Sequence, residues 1–321
     1  MSTYKQIAGT NIEVLSSDPA NPVEGQVWYN STSNTVKANF IDPGSWATGG
    51  SLNTARHSLA GAGIQTAALA FGGAPAPYRA ETESYNGTSW TEVNDLNTAR
   101  FGLGGAGTQT AALGFGGGTA PPTAVTESWN GTSWTEVNDL NTARREFGEA
   151  GTQTAALAFG GNAPPFTNAT ESWDGTSWTE VNDLNTARNT LAGAGTQTAA
   201  LAFGGIVLTP AITAATESWD GTSWTEVNDL NTARRYLAGC GTQTAALAIG
   251  GGDPATTGGE TESWNGTSWT EVNDLGTARN QLAGAGSSNT SALAFGGNAP
   301  PETGATEEWN VGPLTVTFTD S

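Results

Sequence analysis

The sequence is short of the residues that build most reactive sites. It has one cysteine, Cys240, one histidine, His57, and one methionine, Met1. A single cysteine excludes an intramolecular disulfide. One His with one Cys also excludes a metal site built on several imidazole or thiolate ligands. A Ser-His-Asp or Cys-His arrangement would have only His57 to draw on. Positive charge is scarce too, with 11 Lys plus Arg against 30 Asp plus Glu and a net charge of −19. Nucleic-acid binding needs a basic footprint, and an anionic membrane surface would repel this chain. No apolar run reaches the length of a membrane helix, and the opening residues MSTYKQIAGT lack the apolar core of a signal peptide. The expectation is a protein with no nucleic-acid partner, no membrane insertion and no export signal of its own. Low charge (13 %) and low hydrophobic content (36 %) would suit a disordered chain, but twelve tryptophans argue against that.

What the sequence has in abundance is repetition. LNTAR begins at Leu52, Leu96, Leu140, Leu184 and Leu230, and LGTAR begins at Leu275. The starts lie about 44 to 46 residues apart, within the range of about 40 to 50 for propeller blades. Each unit reads approximately LNTAR-xx-LAGAG-TQTAALAFGG, then a variable stretch, then TESWNGTSWTEVND. Glycine, threonine and asparagine interrupt every stretch, so no helical stripe of period 3.6 survives. Four strands are predicted per unit, in the first unit over Arg56 to Gly61 (a), Thr66 to Phe71 (b), Glu81 to Tyr85 (c) and Ser89 to Val93 (d). Asn86-Gly87 marks the c–d hairpin. Strand b, AALAF, is apolar on both faces and suits a position between two sheets. The aromatic on c (Tyr85, Trp129, Trp173, Trp219, Trp264, Trp309) and the tryptophan on d (Trp90, Trp134, Trp178, Trp224, Trp269) are expected between adjacent units. Each buried Trp removes roughly 200 Å² from water, about 5 kcal/mol gross.

The spacing Ser45-Trp46 to Ser51-Leu52 matches Ser89-Trp90 to Asp95-Leu96. Trp46 thus lies on an orphan strand d that can complete the sixth unit and remove an exposed edge. The tail Leu314 to Thr319 is a competing strand. A diglycine after an apolar strand, then an aromatic, then a tryptophan resembles the kelch repeat family over about residues 40 to 311. The aromatic spacing and the short, alanine-rich strands depart from common kelch units. The resemblance implies an all-β, six-bladed β-propeller with four-stranded blades (40–311), after a short N-terminal β-hairpin segment for attachment or oligomerisation (1–39) and before a C-terminal strand or arm (312–321). The near identity of the units, and Asn21 to Thr32 with its Glu-Gly-Gln-Val-Trp-Tyr-Asn core, resemble phage virion and tail-fibre proteins.

No catalytic residue, cofactor or metal site is expected. The copper oxidases among kelch propellers need several histidine and tyrosine ligands and a Cys–Tyr crosslink. Cys240 stands where other units have Ala62, Ala106, Ala150, Ala194 and Ala285, which suits a small buried residue. The repeated arginines Arg56, Arg100, Arg144, Arg188, Arg234 and Arg279 read as scaffold, paired with Glu83, Glu127, Glu171, Glu217, Glu262 and Glu307. The repeated Glu-Val-Asn-Asp offers oxygen ligands but no calcium-loop spacing.

Near-identical units supply an internal control. Two places vary strongly: the b–c loop, and the pair after the arginine (His57-Ser58, Phe101-Gly102, Arg145-Glu146, Asn189-Thr190, Arg235-Tyr236, Asn280-Gln281). Antiparallel alternation puts both on one face of a radial array. Its predicted anchors are Tyr78, Arg79, Phe101, Arg145, Phe166, Tyr236 and the apolar Ile206-Val207-Leu208, because aromatics and arginine dominate binding hot spots. The leading expectation is a phage virion protein, a tail-fibre or receptor-binding component. It would be assembled in the host cytoplasm and exposed on the particle, held by its N-terminal segment to other virion proteins or sister chains. Its variable face would recognise a host surface glycan or protein. The alternatives are a capsid or tail spacer without a receptor, and a lectin-like sugar-binding propeller. A glycan-cleaving enzyme ranks below these for want of a distinct catalytic constellation.

Overall fold

Turn chemistry and apolar strands divide each unit as the repeat implies. In the computed structural model, which describes residues 12–118, 121–209, 211–252 and 257–318, every unit contributes a four-stranded antiparallel sheet. In the first unit the strands are Ala60–Ile64, Ala67–Gly73, Arg79–Tyr85 and Trp90–Val93, paired in chain order. The corresponding first strands of the later units are Gly104–Thr108, Gly148–Thr152, Ala192–Thr196, Ala238–Thr242 and Ala283–Ser288. Each packs against the first strand of the unit before and after it, and Ala283–Ser288 packs against Ala60–Ile64. The fold is therefore all-β, with repeated four-stranded antiparallel sheets in a sequential, propeller-like arrangement.

Strand a begins later than the expected Arg56. The chain takes a positive φ at Ser58 (52°), and at Gly102, Glu146, Thr190, Tyr236 and Gln281 in the other units. A residue in the left-handed region cannot continue a strand, so the ladder starts two residues further on. Glycine then dominates strand a because neighbouring strands approach closely. A Cβ on Gly193 would stand 2.2 Å from the Glu149 carbonyl oxygen, and one on Gly105 would stand 2.4 Å from that of Gly61.

The repeated tryptophans lie between units as expected. Trp90 packs on Phe295 of the last unit at 4.9 Å between ring centroids, and Trp134 packs on Phe71 at 4.8 Å. Each d-strand indole donates to a threonine hydroxyl of the preceding unit, as in Trp134 Nε1 to Thr82 Oγ1 (3.0 Å) and Trp178 Nε1 to Thr126 Oγ1 (3.2 Å). A second stitch was not read from the sequence. The glutamine of the a–b turn donates to the c-strand carbonyl of the preceding unit, as in Gln153 Nε2 to Trp129 O (2.5 Å) and Gln65 Nε2 to Trp309 O (2.7 Å).

The two candidates for the last outer strand separate cleanly. Ser45–Thr48 joins Ala283–Ser288, Ser291–Phe295 and Thr306–Asn310 as the fourth strand. Trp46 behaves as the missing member of its series, donating from Nε1 to Thr261 Oγ1 at 3.1 Å and packing on Trp309 at 5.3 Å. The tail strand Pro313–Phe318 pairs instead with Thr35–Ile41.

That pairing belongs to a second compact unit, residues 1–45 with 311–321, the repeat array being residues 46–310. Here Val27–Asn30 and Thr35–Ile41 form the expected hairpin, Glu13–Leu15 adds in parallel on one side, and Pro313–Phe318 adds antiparallel on the other. Asp18 accepts from Trp28 Nε1 (3.0 Å), Asn30 Nδ2 (2.8 Å) and Lys37 Nζ (2.6 Å), which holds its carboxyl down at about 2, with Lys37 the largest cause.

Candidate functional site

The repeated charges pair as the sequence implied. Arg56, Arg100, Arg144, Arg188, Arg234 and Arg279 each meet the glutamate of their own unit, at 2.5 Å for Arg56–Glu83 and 3.1 Å for Arg100–Glu127. All six arginines are buried. The LNTAR loop completes the cage, since Asn97 donates its backbone N–H (2.7 Å) and Nδ2 (2.8 Å) to Glu127 Oε2. Burial pulls the Arg100 guanidinium down to about 10, opposed by Glu127. The guanidiniums are held through their terminal nitrogens, while Nε of Arg56, Arg100, Arg188, Arg234 and Arg279 has no partner among the described residues; a buried ion pair repeated in all six units is read as scaffold. The Glu-Val-Asn-Asp turn is likewise used internally, with Asp95 Oδ1 accepting from Thr82 N at 3.2 Å and Asn94 Nδ2 donating to Thr132 O at 2.8 Å. Cys240 is buried and its thiol is pushed up to about 12 by desolvation.

The two variable places meet. The residue after each arginine forms a β-bridge with the residue after the diglycine: His57 with Ala74, Phe101 with Gly118, Arg145 with Asn162, Asn189 with Ile206, Arg235 with Gly252 and Asn280 with Asn298. The next residue closes a cycle of backbone hydrogen bonds. Gly102 N donates to Ser58 O, Glu146 N to Gly102 O, Thr190 N to Glu146 O, Tyr236 N to Thr190 O, Gln281 N to Tyr236 O and Ser58 N to Gln281 O, all at 2.7 to 2.9 Å. Their left-handed backbone turns each amide along the rim toward the preceding unit. Inside this hoop lies a cavity of about 100 Å³.

Several predicted anchors gather on the rim. Tyr78 stacks on Phe101 (4.6 Å, 24°), and the Arg145 guanidinium lies 5.3 Å from the centre of the same Phe101 ring. Arg235 lies 5.0 Å from the Tyr236 ring centre. Burial raises the Glu146 carboxyl, with Arg145 and Arg235 pulling it back, and burial followed by Glu146 raises the Tyr236 phenol. Tyr78, Phe101, Arg145, Glu146, Arg235 and Tyr236 thus form one half-buried patch of aromatic faces and opposed charges. Asn189 Oδ1, Asn280 Oδ1 and Arg235 Nε have no hydrogen-bond partner among the described residues, so the rim holds spare polar capacity. Burial lowers the His57 imidazole, opposed by Glu302.

Other expected anchors lie elsewhere. Arg79 pairs with Glu81 at 3.3 Å. Phe166 bridges Asn162 at the start of its own loop. The run Ile206-Val207-Leu208 does not present one apolar face, because Ile206–Val207 pairs with Arg188–Asn189, Ile206 is buried, and only Leu208 stands exposed. Glu149 was not read as a site residue. It occupies the strand-a position held by Gly61, Gly105, Gly193, Gly239 and Gly284, and that lone break in the series was its signal. Glu149 lines both the cavity beneath the rim and a second cavity at the other end of the first strands. Burial alone pushes its carboxyl up to about 8.

No family model matches the chain, and no curated protein matches it by sequence. Among solved structures it is similar to YjhT, with a TM-score of 0.67 at 12 % identity over 82 % of this chain and 99 % of that one. At that identity the likeness shows the fold alone. The virion reading is corrected, since the likeness found is to YjhT and not to a tail-fibre component. The phage assignment, the particle location and the virion partners rested on unit similarity and the short stretch Asn21 to Thr32, and they do not stand.

Proposed function

We propose that the chain is a lectin-like, six-bladed kelch-type β-propeller that holds one carbohydrate at its axial rim. The blade count is supported by the cyclic order of first-strand contacts and by the six-membered hydrogen-bond hoop. The single observation that carries the binding reading is the Tyr78–Phe101 stack with Arg145 over the Phe101 ring, beside Glu146, Arg235 and Tyr236. A sugar offers an apolar C–H face to an aromatic platform and a girdle of hydroxyls to paired donors and acceptors. A concave site with a few convergent polar groups is the usual form of such a pocket. Binding through six equivalent pockets between blades is not favoured, since the repeated indoles are buried and hydrogen-bonded within the protein. No residue is assigned a catalytic role.

The test is calorimetric titration with a panel of neutral, amino and acidic saccharides. One ligand should bind per chain, and Phe101→Ala and Arg145→Ala should each weaken it at least about ten-fold, the scale of one lost hot-spot contact, without a change in melting temperature. A stoichiometry near six, or full affinity in Phe101→Ala, would overturn the reading.

A further inference from the structure

The c–d hairpin carries Asn-Gly in three units, at Asn86-Gly87, Asn130-Gly131 and Asn265-Gly266, and Asp-Gly in two, at Asp174-Gly175 and Asp220-Gly221. All five turns share one geometry. The glycine φ lies between 88° and 92°, and the residue before it is exposed. Asn86 Oδ1 accepts from Thr88 N (3.0 Å) and Ser89 N (2.9 Å), and Asn130 and Asn265 make the same two bonds at 2.9 Å. Asp174 and Asp220 accept from the corresponding amides at 2.8 Å. Asparagine and aspartate favour this side-chain turn alike. Aspartate adds a second oxygen, which accepts from Ser177 Oγ or Ser223 Oγ at 3.4 Å. Two details favour chemistry at the amide. Two N–H groups fixed on Oδ1 polarise Cγ and stand where an oxyanion would develop if that carbon were attacked. The nitrogens of Gly87, Gly131 and Gly266 donate no hydrogen bond among the described residues, and glycine has no side chain to shield them.

We propose that Asn86, Asn130 and Asn265 deamidate in the folded chain, each leaving an aspartate held as Asp174 and Asp220 are. Gly87 N attacks Asn86 Cγ, its proton passes to water, and Nδ2 leaves as ammonia, which closes a five-membered imide. Water then adds at Cγ, the new Cγ–N bond breaks, and the carboxylate stays on the side chain. The turn suits this product, because the amides of Ser177 and Thr176 hold the Asp174 carboxyl below the usual carboxylate range, and those of Ser223 and Thr222 do the same for Asp220. Three conversions take the formal net charge of −19 three units further negative. The carbohydrate reading is not involved.

The experiment is storage of the full chain in mildly alkaline buffer, folded and in urea, followed by peptide mass spectrometry. Aspartate should appear at all three sites in the folded chain, at a rate at least equal to that in urea. Conversion confined to the urea sample, or isoaspartate as the sole product, overturns the proposal. A triple variant, Asn86→Asp with Asn130→Asp and Asn265→Asp, tests the product. A folded carboxyl held below its ordinary 3.8 adds stability above that value and loses it as pH falls through the lowered one. The urea midpoint of the variant should therefore be at least that of the native chain at neutral pH, and should drop relative to it in acid. A lower midpoint at neutral pH would mean that the turn does not accommodate the product, and overturns the proposal as well.

Discussion

Two regions of the repeat array bury charge, and they do so in opposite ways. The Arg–Glu pairs recur in all six units, and the glutamates accept backbone and asparagine N–H groups besides the guanidinium. Glu149 occurs once and has neither a cation nor a donor among the described residues. Repetition of an ion pair in every unit marks a part that the fold needs everywhere. A single unpaired group in an otherwise constant series marks a part that the fold tolerates for another reason. The rim lies between these extremes, with its backbone constant from unit to unit and its side chains varied.

The sharpest way to break this contrast is Arg144→Met. It strands the Glu171 carboxylate in the interior and should cost about 3–5 kcal/mol, the range for removing one partner of a buried pair. Urea denaturation reads the loss, and an unchanged midpoint would show that the pair is not part of the scaffold.

The next effect belongs to Glu149 and is read against pH. Its carboxyl is held up at about 8 in the folded chain, against an ordinary value of 4.5. Between those values the unfolded chain releases the proton while the folded chain keeps it. Stability should therefore fall as pH rises from 4.5 to 8 and level off beyond, by at most about 1.4 kcal/mol per pH unit. Glu149→Gln should remove that decline. Parallel stability curves for the two proteins across the interval would show that the carboxyl is not buried as described.

The smallest effect is at the rim. Gln281 takes a positive φ of 54° where the second unit has Gly102. Gln281→Gly should relieve left-handed strain and raise stability by about 0.5 kcal/mol, the strain relieved less the added backbone freedom of glycine. A marked loss in calorimetry would mean that the glutamine side chain supports the hoop.

Much of the scaffold was legible because six near-copies reveal which residues the architecture demands. The Arg–Glu pairs and the inter-unit tryptophans followed from counting and spacing; spacing offered Trp46 for the last unit, but the choice between it and the tail strand was open in the sequence and is settled by the pairing of Ser45–Thr48. The late start of strand a was not legible, since no residue type announces a left-handed backbone when Ser58, Glu146, Thr190, Tyr236 and Gln281 all adopt it. Gathering of Tyr78, Phe101, Arg145 and Tyr236 on one rim was foreseen from strand alternation. Diversion of Ile206 into a short ladder was not, because a two-residue pairing leaves no periodic trace. Virion membership failed for another reason. A motif of about a dozen residues has little power against an architecture that unrelated proteins share.

The amide hoop has a consequence for selectivity. Each of its six residues gives its N–H proton to one neighbour and accepts one at its carbonyl from the other, so the hoop itself offers a guest no main-chain donor. At the hoop a guest is told apart by side chains. Each of those side chains can be exchanged without disturbing the circle that carries it.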